Sequence, residues 1–262
     1  VAGWRRIRAG SGHRYVDDEG EPVDGVTRII GEGVPKPALV DWAARETAGY
    51  ALDHWDDLGA LGSADRLRAM ERGRFDRQKA ATVRGTTVHD LAARLLHGEQ
   101  VEVDDALVGH VDACLAFLEQ WHVDEIAVEA MVVNREWRYA GTLDLLAYVD
   151  GADLAGDDLG IAVVDWKTGG SGVFAETALQ LAAYAHAEAY VVEGVEHELP
   201  KIGRGLAVWL RADGYDVLPL DIGPSTFRSF LYAQQVAAFR ARPRGDVIGD
   251  ALTAPTTAEA TT

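Results

Sequence analysis

The chain has almost no cysteine. Cys114 is the single thiol among 262 residues, which excludes an intramolecular disulfide and any zinc or iron–sulfur centre held by four cysteines. Long apolar runs are also missing. None approaches the roughly 20 residues of a membrane span, and the opening segment VAGWRRIRAG lacks the apolar stretch of a secretion signal. The expectation is a cytoplasmic protein with no membrane partner. Basic charge is scarce as well: 25 Lys and Arg stand against 42 Asp and Glu, a formal net charge of −17. That balance argues against a surface coated in basic residues for nucleic acid. Cys114 lies in VDACLAFLEQW, where Leu107, Val111, Cys114, Leu115 and Leu118 recur at helical spacing, so it reads as an ordinary buried thiol.

What is present is enough for a core. The hydrophobic content of 48% suits one large domain, or a core domain with a smaller helical attachment. The first 35 residues read as short strands and turns. The Ala-rich segment 36–59 reads as helix, with Leu39 and Trp42 on one side, and a second helical piece covers 64–79. In RGTTVHDLAARLLHGE, Thr86 or Thr87 is placed to cap a further helix, Val88, Leu91, Ala92, Leu95 and Leu96 form its apolar stripe, and Gly98 ends it. Another helix spans 105–121.

The period then changes from helical to alternating. Segments 126–133, 138–149 and 160–167 read as three strands, with NREW as a hairpin loop and the acidic DGADLAGDD as the next connection. A helix is expected over 175–192, a hairpin across Asp213-Gly214, a last helix in PSTFRSFLYAQQVAAFRAR, and a disordered tail over 243–262. This order describes an α/β fold in which helices flank a central mixed β-sheet.

Charge is unevenly distributed. From Arg66 to Gly85 the chain carries Arg66, Arg68, Arg72, Arg74, Arg77, Lys79 and Arg84 against Glu71 and Asp76. A solvated helix face and a phosphate-binding patch both account for it. The strand IAVVDWKT ends in an acid and an amine two residues apart, which places Val163, Asp165 and Lys167 on one face. Asp144 lies in GTLD on the preceding strand, His89 follows Arg84-Gly85, and Gln180 and Tyr184 share a helix face at i, i+4. Taken singly, each has an ordinary explanation, from a surface ion pair to helix packing.

Together, RGTTVH, GTLD, VVDWKT and QLAAYA resemble, in order, the motifs of the PD-(D/E)XK nuclease superfamily, in particular its RecB-like exonuclease branch. The resemblance spans Arg84 to Tyr184, and the upstream VTRII and KPALVDWAARETAGYA look like the N-terminal region of phage-borne members. It implies a restriction-endonuclease-like core over 84–242, preceded by a strand and helical region over 1–83. It implies a metal-dependent DNA exonuclease of phage or bacterial recombination, replication or repair. The iron–sulfur cluster of CRISPR-associated relatives is excluded by the cysteine count, and helicase motifs are missing.

By that resemblance, Asp144 and Asp165 hold Mg²⁺ or Mn²⁺ with His89 and the Trp166 backbone carbonyl, while Glu129 is a weaker candidate for a second metal position. Lys167 orients the attacking water and stabilises developing charge, and Gln180 and Tyr184 position the water or the DNA backbone. The basic stretch then reads as DNA contact. Trp42 and Trp55 read as core packing ahead of base stacking. DNA is the implied partner, with a single-strand annealing or recombinase protein as a further candidate. A structure-specific endonuclease on the same fold and a non-catalytic DNA-binding accessory protein remain the alternatives.

Overall fold

The computed structural model describes residues 3–10, 12–150 and 160–252. The fold is mixed α/β, and its strands divide between two sheets rather than forming one central sheet. Strands β1 (Arg5–Ala9), β2 (Gly12–Val16) and β3 (Pro22–Gly25) open the chain, followed by helices α1 (Val26–Gly33), α2 (Pro37–Asp53), α3 (Trp55–Gly59), α4 (Ser63–Leu96) and α5 (Val108–Gln120). Next come β4 (Asp124–Val128), β5 (Met131–Asn134), β6 (Tyr139–Thr142), β7 (Leu145–Tyr148) and β8 (Ile161–Lys167). Helix α6 (Glu176–Ala185), β9 (Ala189–Val192), β10 (Val195–Glu198), β11 (Arg204–Arg211), β12 (Gly214–Leu220) and α7 (Pro224–Arg240) complete the order.

One sheet runs β1-β2-β3-β6-β5-β9-β10 and the other β12-β11-β8-β7-β4. Both are mixed, since β3 and β6 run parallel in the first, and β11 and β8 in the second. Each of the first two expected long strands is broken in the middle. Glu129 adopts φ +48°, a left-handed conformation that interrupts extended backbone. Opposite it, Leu143 and Asp144 separate β6 from β7. Two backbone bonds, Glu129 N–H to Asp144 O (3.0 Å) and Leu143 N–H to Ala130 O (2.9 Å), keep the hairpin paired through the bend. One hairpin therefore serves both sheets, with Glu129 and Asp144 at the corner.

Alternation along β8 decides which layer each residue joins. Ile161 and Val163 pack with Leu181 of α6, Phe230 of α7 and Ile29 of α1. Ala162, Val164 and Trp166 pack on the other face, with Val88 of α4 and Cys114 and Phe117 of α5. At the N-terminus, Trp4, Tyr15 and Val23 cover Met131, Val133 and Ala140. The N-terminal strands thus belong to the same sheet as β5 and β6, and the boundary expected at 83/84 falls inside α4.

Several local expectations change. The separate helices expected on either side of Arg84-Gly85 are one continuous α4. No proline interrupts it, and Thr87 Oγ1 donates to Val83 O (2.9 Å) along the helix instead of capping a new one. The helix expected to reach 192 ends at Ala185, because AYVV pairs with β5 and turns through Glu193 (φ +51°) and Gly194 (φ +79°) into β10. Val26, Ile29 and Ile30 lie buried on one face of α1, a helix where short strands and turns are expected. The Asp213-Gly214 hairpin and the Gly98 stop (φ +73°) agree with the sequence reading. Trp55 is 69% exposed rather than packed in a core. Of the expected tail, Arg244–Asp246 form a short 3-10 turn; residues 253–262, like the acidic connection 151–159, lie outside the described residues. Among the described residues no helix is long and apolar enough to cross a membrane.

Candidate metal centre

Four elements deliver polar side chains to the end of β8. Because α4 packs on the Trp166 face and α6 on the Asp165 face, His89 and Gln180 approach the strand end from opposite sides. Asp144, at the hairpin corner, accepts the Trp166 N–H through Oδ2 at 2.9 Å. His89 Nε2 lies 2.9 Å from the Trp166 carbonyl oxygen. A carbonyl can only accept, so Nε2 carries the proton, and Nδ1 faces Asp144 Oδ1 at 3.4 Å.

The donors that converge are His89, Glu129 and Asp144, whose ligand atoms all lie within 4.8 Å of one another. Two carboxylates and one imidazole suit a hard or borderline divalent cation such as Mg²⁺ or Mn²⁺, and the imidazole favours Mn²⁺. The second ring nitrogen of a metal-bound histidine ordinarily donates to a carbonyl or carboxylate. His89 meets that requirement through Trp166, which leaves Nδ1 as the ring nitrogen that could ligate. The residues present therefore fit the cation that the sequence resemblance implies.

Two expected ligands have protein partners. The Trp166 carbonyl, expected on the metal, accepts from His89 Nε2. Asp165 lies outside the convergent group: Oδ1 accepts from Gln180 Nε2 at 2.9 Å, and Oδ2 forms an ion pair with Lys167 Nζ. Asp165 is 2% exposed, and period-two alternation sets Lys167 beside it on the same strand face. Gln180 Nε2 also donates to Tyr184 OH (3.2 Å). Tyr184 is buried, and its hydroxyl meets this group through Gln180. Gly141, the first residue of the GTLD motif, makes room for that ring: a Cβ there would stand 2.4 Å from Tyr184 Cε1.

The electrostatics mark an excess of negative charge. Burial pushes the Asp165 carboxyl above its usual range, and the neighbouring Asp144 charge pushes it further against Lys167 and His89. Glu129 shifts upward for the same two reasons, desolvation of the protein-facing part of an otherwise accessible side chain and the charge of Asp144. Burial alone would lower His89, yet the charge and hydrogen bond of Asp144, with help from Asp165, raise it to about 9. The protonated imidazole occupies the place of a cation among these carboxylates.

The basic stretch is less uniform than its sequence. Arg66 folds back onto the carbonyls of Leu58 (2.8 Å), Gly59 (3.3 Å) and Leu61 (3.1 Å), closing the C-terminal end of α3. Arg68 pairs with Asp65 at 3.7 Å, and Arg72 is exposed. The side chains of Arg74, Arg77, Lys79 and Arg84 lie outside the described residues.

Sequence reasoning missed a neighbouring group on the N-terminal hairpin. Tyr15 OH lies 2.8 Å from Thr142 Oγ1 and 3.0 Å from His13 Nε2, and Arg6 Nη1 donates to the same Thr142 oxygen at 3.2 Å. Thr142 stands two residues before Asp144. The one available signal was the polar alternation of His13 and Tyr15 in GHRYV, which carries no chemistry by itself. Neither a protein-family model nor a curated protein matches this chain.

Proposed function

We propose that this protein is a metal-dependent deoxyribonuclease, an exonuclease that hydrolyses phosphodiester bonds at the ends of linear DNA. The observation that supports this reading is the meeting of His89, Glu129 and Asp144 beside the Asp165–Lys167 pair. These three residues would hold a divalent cation, which would neutralise phosphate charge and lower the pKa of a bound water.

Each remaining side chain has a defined part. Lys167, partly exposed, presents its ammonium group to the charge that develops on the phosphorane oxygens. Asp165 holds that ammonium in place and is itself held by Gln180, which Tyr184 anchors. Trp166 orients the imidazole through its carbonyl and Asp144 through its N–H.

The test is digestion of end-labelled linear DNA, single- and double-stranded, with Mg²⁺ or Mn²⁺, beside closed circular DNA. Linear DNA should be degraded, circles spared, and chelation should stop the reaction. Lys167→Ala should lower the rate by about 10²–10³, the order found for removing one donor to a developing oxyanion, with the far-ultraviolet circular dichroism of the wild type. A Lys167→Ala rate equal to wild type overturns the role of Lys167. Cleavage of the circles would make the enzyme an endonuclease, and DNA binding without cleavage in any metal would make it an accessory protein.

A further inference from the structure

The N-terminal hairpin adds a cation to this acidic corner. Trp4, 6% exposed, packs with Tyr15 against Met131, Val133 and Ala140 and fixes the hairpin on the sheet. Register then places Arg6 directly opposite Tyr15, and both reach Thr142 on β6. Arg6 is exposed, and among the described residues no carboxylate lies within ion-pair distance of it. A cleft of about 510 Å³ opens beside it, shared by Arg5, Arg6, Glu129, His97 and the Glu193-Gly194 turn. Glu129 belongs to both the cation-binding group and this cleft.

We infer that Arg6 is a phosphate-binding residue of the substrate path, holding a backbone phosphate of a single DNA strand in the cleft that Glu129 also lines. The ligand's identity rests on the nuclease reading; the site itself rests on geometry. A guanidinium presents several fixed donors, and the Thr142 hydroxyl uses one while leaving others toward solvent. An unpaired cation facing an acidic centre gives an anionic strand an attractive approach where carboxylates alone would repel it. The volume falls within the range of pockets for small ligands, room enough for a nucleotide of one strand.

The experiment separates this site from the activity. Binding of a fluorescein-labelled single-stranded oligodeoxynucleotide is followed by anisotropy, in chelator and in Ca²⁺, over a range of salt concentration. Wild type, Arg6→Gln, Arg6→Lys and the hairpin control Arg14→Gln are compared, with thermal melts of each. Arg6→Gln should bind about tenfold more weakly, and its slope of log K against log salt should shrink by about 0.7, the value for one single-strand phosphate contact. Arg6→Lys should retain the slope, and Arg14→Gln should match wild type. A purely structural Arg6 would change the melt and not the slope. Unchanged binding and slope in Arg6→Gln, or a wild type that binds no oligonucleotide, overturns the inference. If wild type binds through Arg6 but never cleaves, the phosphate site stands and the nuclease reading falls; if it cleaves and Arg6→Gln binds equally well, the reverse holds.

Discussion

His89 Nδ1 lies 3.4 Å from Asp144 Oδ1, tying the long helix α4 to the hairpin corner where the two sheets meet. The contact raises the imidazole pKa from 6.5 to about 9 against the opposing effect of burial. In the metal-free protein, then, the folded state binds this proton more tightly than the unfolded chain. A raised pKa of this kind gives stability that is fully present below the unfolded value and is lost as pH climbs through the folded one. The melting temperature of chelated protein should fall between pH 6.5 and pH 9, and His89→Gln should flatten that fall. A flat profile in wild type would remove the proton from this account.

The same proton would compete with a cation. With Nε2 donating to the Trp166 carbonyl, His89 could ligate only through an unprotonated Nδ1, so binding would expel the proton. Mn²⁺ affinity, measured by calorimetry, should rise with pH up to about 9, with protons released to the buffer. His89→Gln should bind more weakly and with a shallower pH dependence.

Glu129 holds a backbone conformation, φ +48°, that glycine adopts far more readily. The left-handed region costs a side-chain-bearing residue roughly 1–2 kcal/mol, part of which glycine returns through its more flexible unfolded chain. Glu129→Gly should leave the chelated protein as stable as wild type or up to about 1 kcal/mol more stable in urea unfolding. The same variant should lose about tenfold in Mn²⁺ affinity. A clear loss of stability would mean that the Glu129 carboxylate serves the fold rather than a cation.

Gly141→Ala sets a methyl group 2.4 Å from a ring carbon of buried Tyr184. Overpacking of this kind costs about 1–3 kcal/mol, and displacement of the ring would carry Gln180 away from Asp165. Denaturant unfolding should show that loss. Tyr184→Phe, which keeps the packing and drops only the hydroxyl, should be milder.

Cys114 is 1% exposed, and burial pushes its thiol up to about 12. Native protein at pH 8 should therefore resist a thiol reagent, whereas protein in denaturant should react at once. Rapid labelling of the native state would place the thiol at the surface.

Much of this was legible in the chain. Alternation in IAVVDWK assigned Asp165 and Lys167 to one face, and the ion pair between them follows from that spacing. The i, i+4 spacing of Gln180 and Tyr184 likewise became a hydrogen bond, and the stripe beginning at Val88 is the buried face of α4. The misses share a cause. AYVV continued an apolar pattern that short-range reading extends as helix, and its pairing with β5, more than 50 residues away, made it a strand. Thr86 and Thr87 looked like caps because nothing local shows that a helix continues through Gly85.

Local pattern alone settled the α/β composition, the strand faces and the residue types able to take part in metal chemistry, because side-chain period and turn chemistry act over a few residues. Tertiary structure decided which of those residues meet. The bend at Glu129 splits one hairpin between two sheets and brings Glu129, Asp144 and His89 together. Burial between α6 and β8 leaves Asp165 to Lys167 and Gln180 instead. Those outcomes depend on contacts between distant segments, and a carboxylate's partners are set by what packs around it, not by its neighbours in sequence.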